Sequence, residues 1–136
     1  PLQRIAYNAI PSVVYTNPGI ACIGLTEKDL NDIKEGDFAP SMSTDKPFVP
    51  YEVHKLPMTY SGRFVAENEG ETGLCKVIVD QHNKTIIGVH MIGNPCSEFV
   101  AAASFAVRMG YTVGEFKQVV FPHPTVGEVL REVICE

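Results

Sequence analysis

Several signatures that would assign a function outright are missing from this chain of 136 residues. Its 11 glycines never fall as G-x-G-x-x-G or as G-x-x-x-x-G-K, so neither common phosphate-cradling turn is present and the chain is not expected to hold a dinucleotide by itself. H-E-x-x-H and G-x-S-x-G are absent too, which removes the zincin and nucleophile-elbow chemistries. The 4 cysteines, Cys22, Cys75, Cys96 and Cys135, show no C-x-x-C and no histidine at zinc-finger spacing, so neither a dithiol motif nor a metal is expected. There is no Lys/Arg run, and 16 acidic residues outnumber 11 basic ones, which argues against nucleic acid or an anionic membrane as partner. No apolar stretch approaches the roughly 20 residues of a bilayer span, and no basic segment leads into an apolar one at the N-terminus. The expectation is a soluble, unexported, cytoplasmic chain.

What is there is enough for one folded domain: 45% of residues are apolar and 20% charged, far from the profile of disordered chains. Four cysteines permit two disulfides, but a domain with a good core does not need them, and buried free thiols in a reducing compartment are the simpler reading. The opening Pro1-Leu2-Gln3-Arg4-Ile5 lacks an initiator Met and reads as a cut from something longer.

Ser12 to Thr16 is β-branched and aromatic and stops at Asn17-Pro18-Gly19, which predicts a short strand and a turn. Thr26 before Glu27, Lys28, Asp29 and Leu30 predicts a capped helix that Gly36 closes. Residues 37–50, broken by Pro40, Pro47 and Pro50, predict a loop. Tyr51 to Met58 is extended, and Tyr60-Ser61-Gly62-Arg63-Phe64 reads as a bend. Leu74 to Asp80 alternates, with Cys75, Val77 and Val79 on one side and Lys76 and Asp80 on the other; Gln81 to Lys84 turns the chain, and Thr85 to Ile92 returns. The period then changes to that of a helix, with Asn94 as N-cap, Pro95 at the first helical position, Phe99, Val100, Ala103, Ala106 and Val107 as apolar face, and Gly110 as stop. Thr112 with Glu115, and Thr125 with Glu128, have the spacing of capping boxes for two further helices. Strands first and helices later predict an α+β fold, an antiparallel β-sheet covered by helices.

One stretch carries chemistry. His123 lies between two prolines in Phe121-Pro122-His123-Pro124-Thr125-Val126-Gly127-Glu128, so its backbone is held by two rings. Histidines titrate near pH 6.5, within reach of proton transfer at physiological pH, and a carboxylate on one ring nitrogen fixes the tautomer. Glu128 is near enough to be that carboxylate. Each residue also has a plainer reading: Glu128 as a cap with Thr125, His123 as a loop residue. His90 reads as a half-buried strand residue, His54 and His82 as solvent-side or turn residues, and Arg63 as a surface arginine or an anion contact.

His123-Pro124-Thr125-x-x-Glu128 close to the C-terminus, with Val13 to Pro18, Ile20 to Glu27, and Ile87 to Gly93 followed by Glu98, resembles the C-terminal interface domain of the flavin-dependent disulfide oxidoreductases over nearly the whole chain. Tyr15 to Ala21 and Ser61 to Phe64 are more similar to its dihydrolipoyl dehydrogenase branch than to glutathione reductase. The resemblance implies that residues 1–136 form a single dimerisation domain, with the FAD and NAD domains and the C-x-x-x-x-C redox pair outside it. It also implies that the chain alone binds neither FAD nor NAD and is inactive. His123 is then the acid/base for a dithiol substrate, oriented by Glu128, and His123 and Pro124 face the FAD and redox disulfide of the other subunit of a homodimer. The implied substrate is a lipoyl-bearing protein, and His123–Pro124 is a candidate cis peptide. The same domain of glutathione reductase or another disulfide reductase, or a non-catalytic dimerisation module, are the alternatives. Residues 37–50 run longer and richer in proline than the family leads one to expect, and Gly127 stands where the dehydrogenases have serine.

Overall fold

In the computed structural model, residues 5–32 and 50–136 are described. Five strands form one antiparallel sheet: β1 (Ser12–Val14), β2 (Ile20–Gly24), β3 (Tyr51–Leu56), β4 (Leu74–Asp80) and β5 (Ile86–Ile92), in the order β1-β2-β5-β4-β3. Five helices accompany it: α1 (Glu27–Asp32), α2 (Gly62–Glu67), α3 (Cys96–Met109), α4 (Val113–Phe116) and α5 (Val129–Glu132). This is the expected α+β class, an antiparallel sheet with helices packed on it.

The β4–β5 hairpin forms where the alternation places it. Its turn is closed by Asp80, whose carboxylate accepts the His82 N–H at 2.8 Å, and Lys84 takes the left-handed conformation at φ 61°. Asp80, on the side of β4 opposite Cys75, Val77 and Val79, is buried at 7% exposure, and the turn amides satisfy it. Ile78 is buried as well, packed against Leu25, which precedes α1, and Leu30 within it. Thr26 caps α1 as its sequence indicates, accepting from Asp29 N–H while Asp29 accepts from Thr26 N–H. The expected stop at Gly36 and nearly all of the 37–50 loop lie outside the described residues.

Strand β2, which the sequence did not announce, fills the gap between β1 and β5. Its inward residues Ala21 and Ile23 are buried while Ile20 and Cys22 are half-buried, so one face packs the core. At its end Gly24 turns to φ +77°, letting Leu25 N–H reach the Ile87 carbonyl at 2.9 Å. Helix α3 lays Val100, Ala103, Ala106 and Val107 into the core and ends on Gly110 at φ 65°. Its N-terminus departs from expectation. Pro95 occupies the N-cap with no side-chain cap, because the Asn94 carboxamide is used elsewhere: it accepts from Gly19 N–H at 2.9 Å and donates to Asn17 Oδ1 at 2.7 Å. The Tyr60–Phe64 bend is also corrected. A 3-10 turn at Met58–Tyr60 leads into α2, with Ser61 as N-cap and Phe64 fully buried.

All four cysteines are free; Cys75 and Cys96 are buried as expected, Cys22 is half-buried and Cys135 is exposed. Burial pushes the Cys75 thiol up to about 12, which keeps it protonated and unreactive.

Two outcomes follow from these contacts. A Cβ at Gly24 would lie 2.2 Å from the Ile87 carbonyl oxygen, so Gly24→Ala is expected to cost roughly 2 kcal/mol or more, read as a lower urea midpoint with an unchanged slope. His90, whose Nε2–H donates to the Leu25 carbonyl at 2.9 Å among Lys76, Glu27 and Asp29, is held below its ordinary 6.5, first of all by burial. Its neutral form is thus favoured in the fold. Stability from this group is complete above pH 6.5 and is lost as pH falls through the depressed folded value. His90→Gln is expected to flatten the drop in urea midpoint between about pH 7.5 and about pH 5.5.

Candidate active site

The loop that carries His123 is anchored at both ends and exposed in the middle. Before it, the Phe121 ring meets Phe116 edge-on, with centroids 5.8 Å apart. After it, Val126 is buried, and Val129, Leu130 and Val133 of α5 and its extension sink into the core. Between these anchors Pro122, His123 and Pro124 are exposed, with a cis bond at His123–Pro124 as the resemblance implied. Thr125 Oγ1 donates to the Pro122 carbonyl at 2.7 Å, and Ser61 Oγ donates to the Thr125 carbonyl at 2.9 Å.

His123 and Glu128 come together here. The imidazole Nδ1 and the Glu128 Oε2 are 2.8 Å apart. The carboxylate accepts, so Nδ1 carries the hydrogen and Nε2 is the nitrogen left to exchange protons. The two side chains differ sharply in exposure, 80% for His123 and 14% for Glu128, so the ring meets solvent while its carboxylate partner stays sheltered. They border a groove of about 410 Å³ that Lys117 and Arg131 also line, with Arg131 Nε donating to the Lys117 carbonyl at 3.2 Å.

The capping box read into Thr125 and Glu128 does not form. The segment Val126–Glu128 is a 3-10 turn, Thr125 makes no side-chain cap bond, its hydroxyl turns back to Pro122, and the Glu128 carboxylate turns to His123. Thr112 and Glu115 have the same spacing and do form the full box at the start of α4, which holds the Glu115 carboxyl below its usual range. One pattern thus has two outcomes: at Thr125 the hydroxyl is drawn to the Pro122 carbonyl and the carboxylate to an imidazole, while at Thr112 neither group has a competing partner among the described residues.

The remaining candidates lie apart from this pair. His90 is on the sheet, His54 is half-buried on edge strand β3 beside Glu52, and His82 is in the hairpin turn. Arg63 is paired with Glu67 one helical turn on. Among the described residues no cluster of His, Cys, Asp and Glu could hold a metal ion, and no helix is long and apolar enough to cross a membrane. The residue the sequence reading missed is Ser61. Its signal was a serine three positions before the buried Phe64, the spacing of an N-cap.

Residues 10–134 match the family described as pyridine nucleotide-disulphide oxidoreductase, dimerisation domain. The chain belongs to that family. It is 35% identical over 129 residues to the mitochondrial dihydrolipoyl dehydrogenase of Caenorhabditis elegans, covering 95% of this chain and 23% of that protein. It is also 35% identical over 123 residues to the dihydrolipoyl dehydrogenase of Thermus scotoductus, covering 90% of this chain and 23% of that one. The chain thus spans about a quarter of the length of these relatives. Among solved structures, LpdA of Mycobacterium tuberculosis superposes with a TM-score of 0.81 at 19% identity, covering 99% of this chain and 26% of that one. The HOCl-induced flavoprotein disulfide reductase RclA of Escherichia coli superposes with a TM-score of 0.75 at 19% identity, covering 93% and 26%. These two show the same fold.

The hydrogen-bonded pair generates a spectroscopic expectation. In its neutral form His123 should hold a single tautomer with the proton on Nδ1, read from the nitrogen shifts of the ring. Glu128→Ala should turn this into a mixture of tautomers; a mixture already present in the unsubstituted protein would contradict the pairing.

Proposed function

We propose that this chain is the C-terminal interface domain of a longer, dihydrolipoyl dehydrogenase-like flavoenzyme. In this reading it forms a homodimer and supplies His123 and Glu128 to the site of the other subunit for NAD-linked oxidation of a lipoyl dithiol. The observation that carries this reading is the 2.8 Å contact between Nδ1 and Oε2, which leaves Nε2 of an exposed ring as proton acceptor at the mouth of a groove. The names of the relatives support the choice of branch over glutathione reductase.

The chemistry required of these residues is modest and suits them. A dithiol is oxidised as thiolate, so a base must take each S–H proton, and the resulting imidazolium stabilises the thiolate beside it. Glu128, sheltered and already bonded to Nδ1, stabilises that imidazolium without moving. On re-protonation of the sulfur the same Nε2 returns the proton. FAD, when bound in the parent, would carry the electron pair between the thiols and NAD.

The described residues fit only an edge of such a flavin. They offer no glycine-rich strand-to-helix turn for a pyrophosphate; in this reading the exposed His123 and Pro124 abut a flavin held by the other subunit. The free thiols suit a reducing compartment, and we place the parent in the cytoplasm, although the names of several relatives carry the word mitochondrial.

The test is a substrate panel on the full-length parent. Dihydrolipoamide with NAD should turn over, and glutathione disulfide with NADH or NADPH should not. His123→Ala should lower turnover by at least about a hundredfold with FAD retained, the low end for loss of a general acid–base. Preference for another disulfide would displace the branch assignment, and full activity of His123→Ala would displace the catalytic one.

A further inference from the structure

Packing does not hold His123, since its side chain is 80% exposed. Its position is set by Glu128 and by the backbone on either side. On the N-terminal side the anchor is the Phe116–Phe121 contact, which is apolar and tolerant of small displacements. On the C-terminal side the anchor includes a directional bond, from Ser61 to Thr125.

Ser61 is one of two buried polar residues among the described ones, at 2% exposure; the other, Asp80, is accounted for by the hairpin turn. Its hydroxyl works in two directions at once. It accepts the Phe64 N–H at 3.3 Å, capping α2, and donates its hydrogen to the Thr125 carbonyl at 2.9 Å, across 64 positions of sequence. The far end of α2 is tied down as well. Asn68 Nδ2 donates to the Phe64 and Asn94 carbonyls, each at 3.1 Å. Phe64 is so close to the β5–α3 corner that a Cβ at Gly93 would lie 2.9 Å from its ring. Helix α2 is thus a short strut, fixed to the β5–α3 corner at one end and holding the His123 loop at the other.

We propose that Ser61 is a positioning residue for His123: its hydrogen bond fixes Thr125, two residues after His123 and three before Glu128, and so sets how the ring meets its carboxylate. This inference rests on the reading of His123 as acid/base. A hydroxyl required only as a cap would be replaceable by glycine, which serves nearly as well at N-caps; a hydroxyl required as a tether would not.

The experiment uses the full-length enzyme that contains this chain. Ser61→Ala and Ser61→Gly should both lower kcat on the order of tenfold, within the penalty for sub-ångström misplacement of a catalytic group, with KM for dihydrolipoamide changed by less than about twofold. Both should replace the single Nδ1–H tautomer of His123 by a mixture, and Ser61→Thr should restore tautomer and turnover. Thr26→Ala, which removes the comparable cap from α1, should leave both unchanged. The proposal is overturned if Ser61→Gly keeps wild-type kcat and a single tautomer, or if Thr26→Ala reproduces the loss. If the Ser61 variants mix the tautomers while His123→Ala leaves turnover intact, the tether stands and the acid/base reading falls.

Discussion

Both edges of β5 are hydrogen-bonded, to β2 on one side and β4 on the other, so the strand cannot slip, and what leaves its two ends is fixed in place. At the start of β5, Ile86 N–H bonds the Tyr111 carbonyl at 2.9 Å and the preceding Lys84 carbonyl accepts from Val113 N–H at 2.8 Å. The entrance to α4, and with it the segment leading to Phe121, is thereby tied to the hairpin. At the other end Gly93 feeds α3 and receives Phe64 of α2. The His123 loop hangs between these two attachments. A register slip of one residue would reverse the buried and exposed faces and move both attachments at once.

Anchored this way, the loop separates two demands that conflict in most proteins. An acid/base must be open to substrate, yet its orienting partner is most effective where water does not compete. In the proposed function, the exposed His123 and sheltered Glu128 meet both. The last helix begins as a 3-10 turn without a side-chain cap: the Thr125 hydroxyl donates to the Pro122 carbonyl and the Glu128 carboxylate is turned to the ring. At α4 the same T-x-x-E pattern is free to cap and does.

Much of the fold was legible in the sequence because its signals are long. The seven-residue strands β4 and β5 and the fourteen-residue α3 each show several repeats of their period, and Gly110 ends α3 where a left-handed residue is required. Short elements were legible only where turn or cap residues mark them, as at β1, α1 and α4. Helix α2, six residues with a glycine at its first position, is too short for an apolar stripe, and β2 is a five-residue strand with a glycine at its end. Local rules failed where another partner won: Asn94 was drawn from capping α3 by the distant Asn17 and Gly19, and Glu128 from capping α5 by the nearby His123. The pairing of His123 with Glu128 was open to the sequence, but its preference over a cap was not, because that depends on the path of the loop between them. Ser61 was invisible as a tether, since nothing local points from it to Thr125.

In the proposed function the domain is half of a site that a second subunit completes. That claim is tested most directly by hybrid dimers of the full-length parent. One subunit would carry His123→Ala and the other would have its redox-active cysteine pair, outside this chain, replaced by serine. Each parent homodimer should be inactive toward dihydrolipoamide, while the hybrid should recover activity at one of its two sites, where intact cysteines of one subunit face an intact His123 of the other. Hybrids as inactive as both homodimers would contradict the assignment of His123 to the opposite subunit's site.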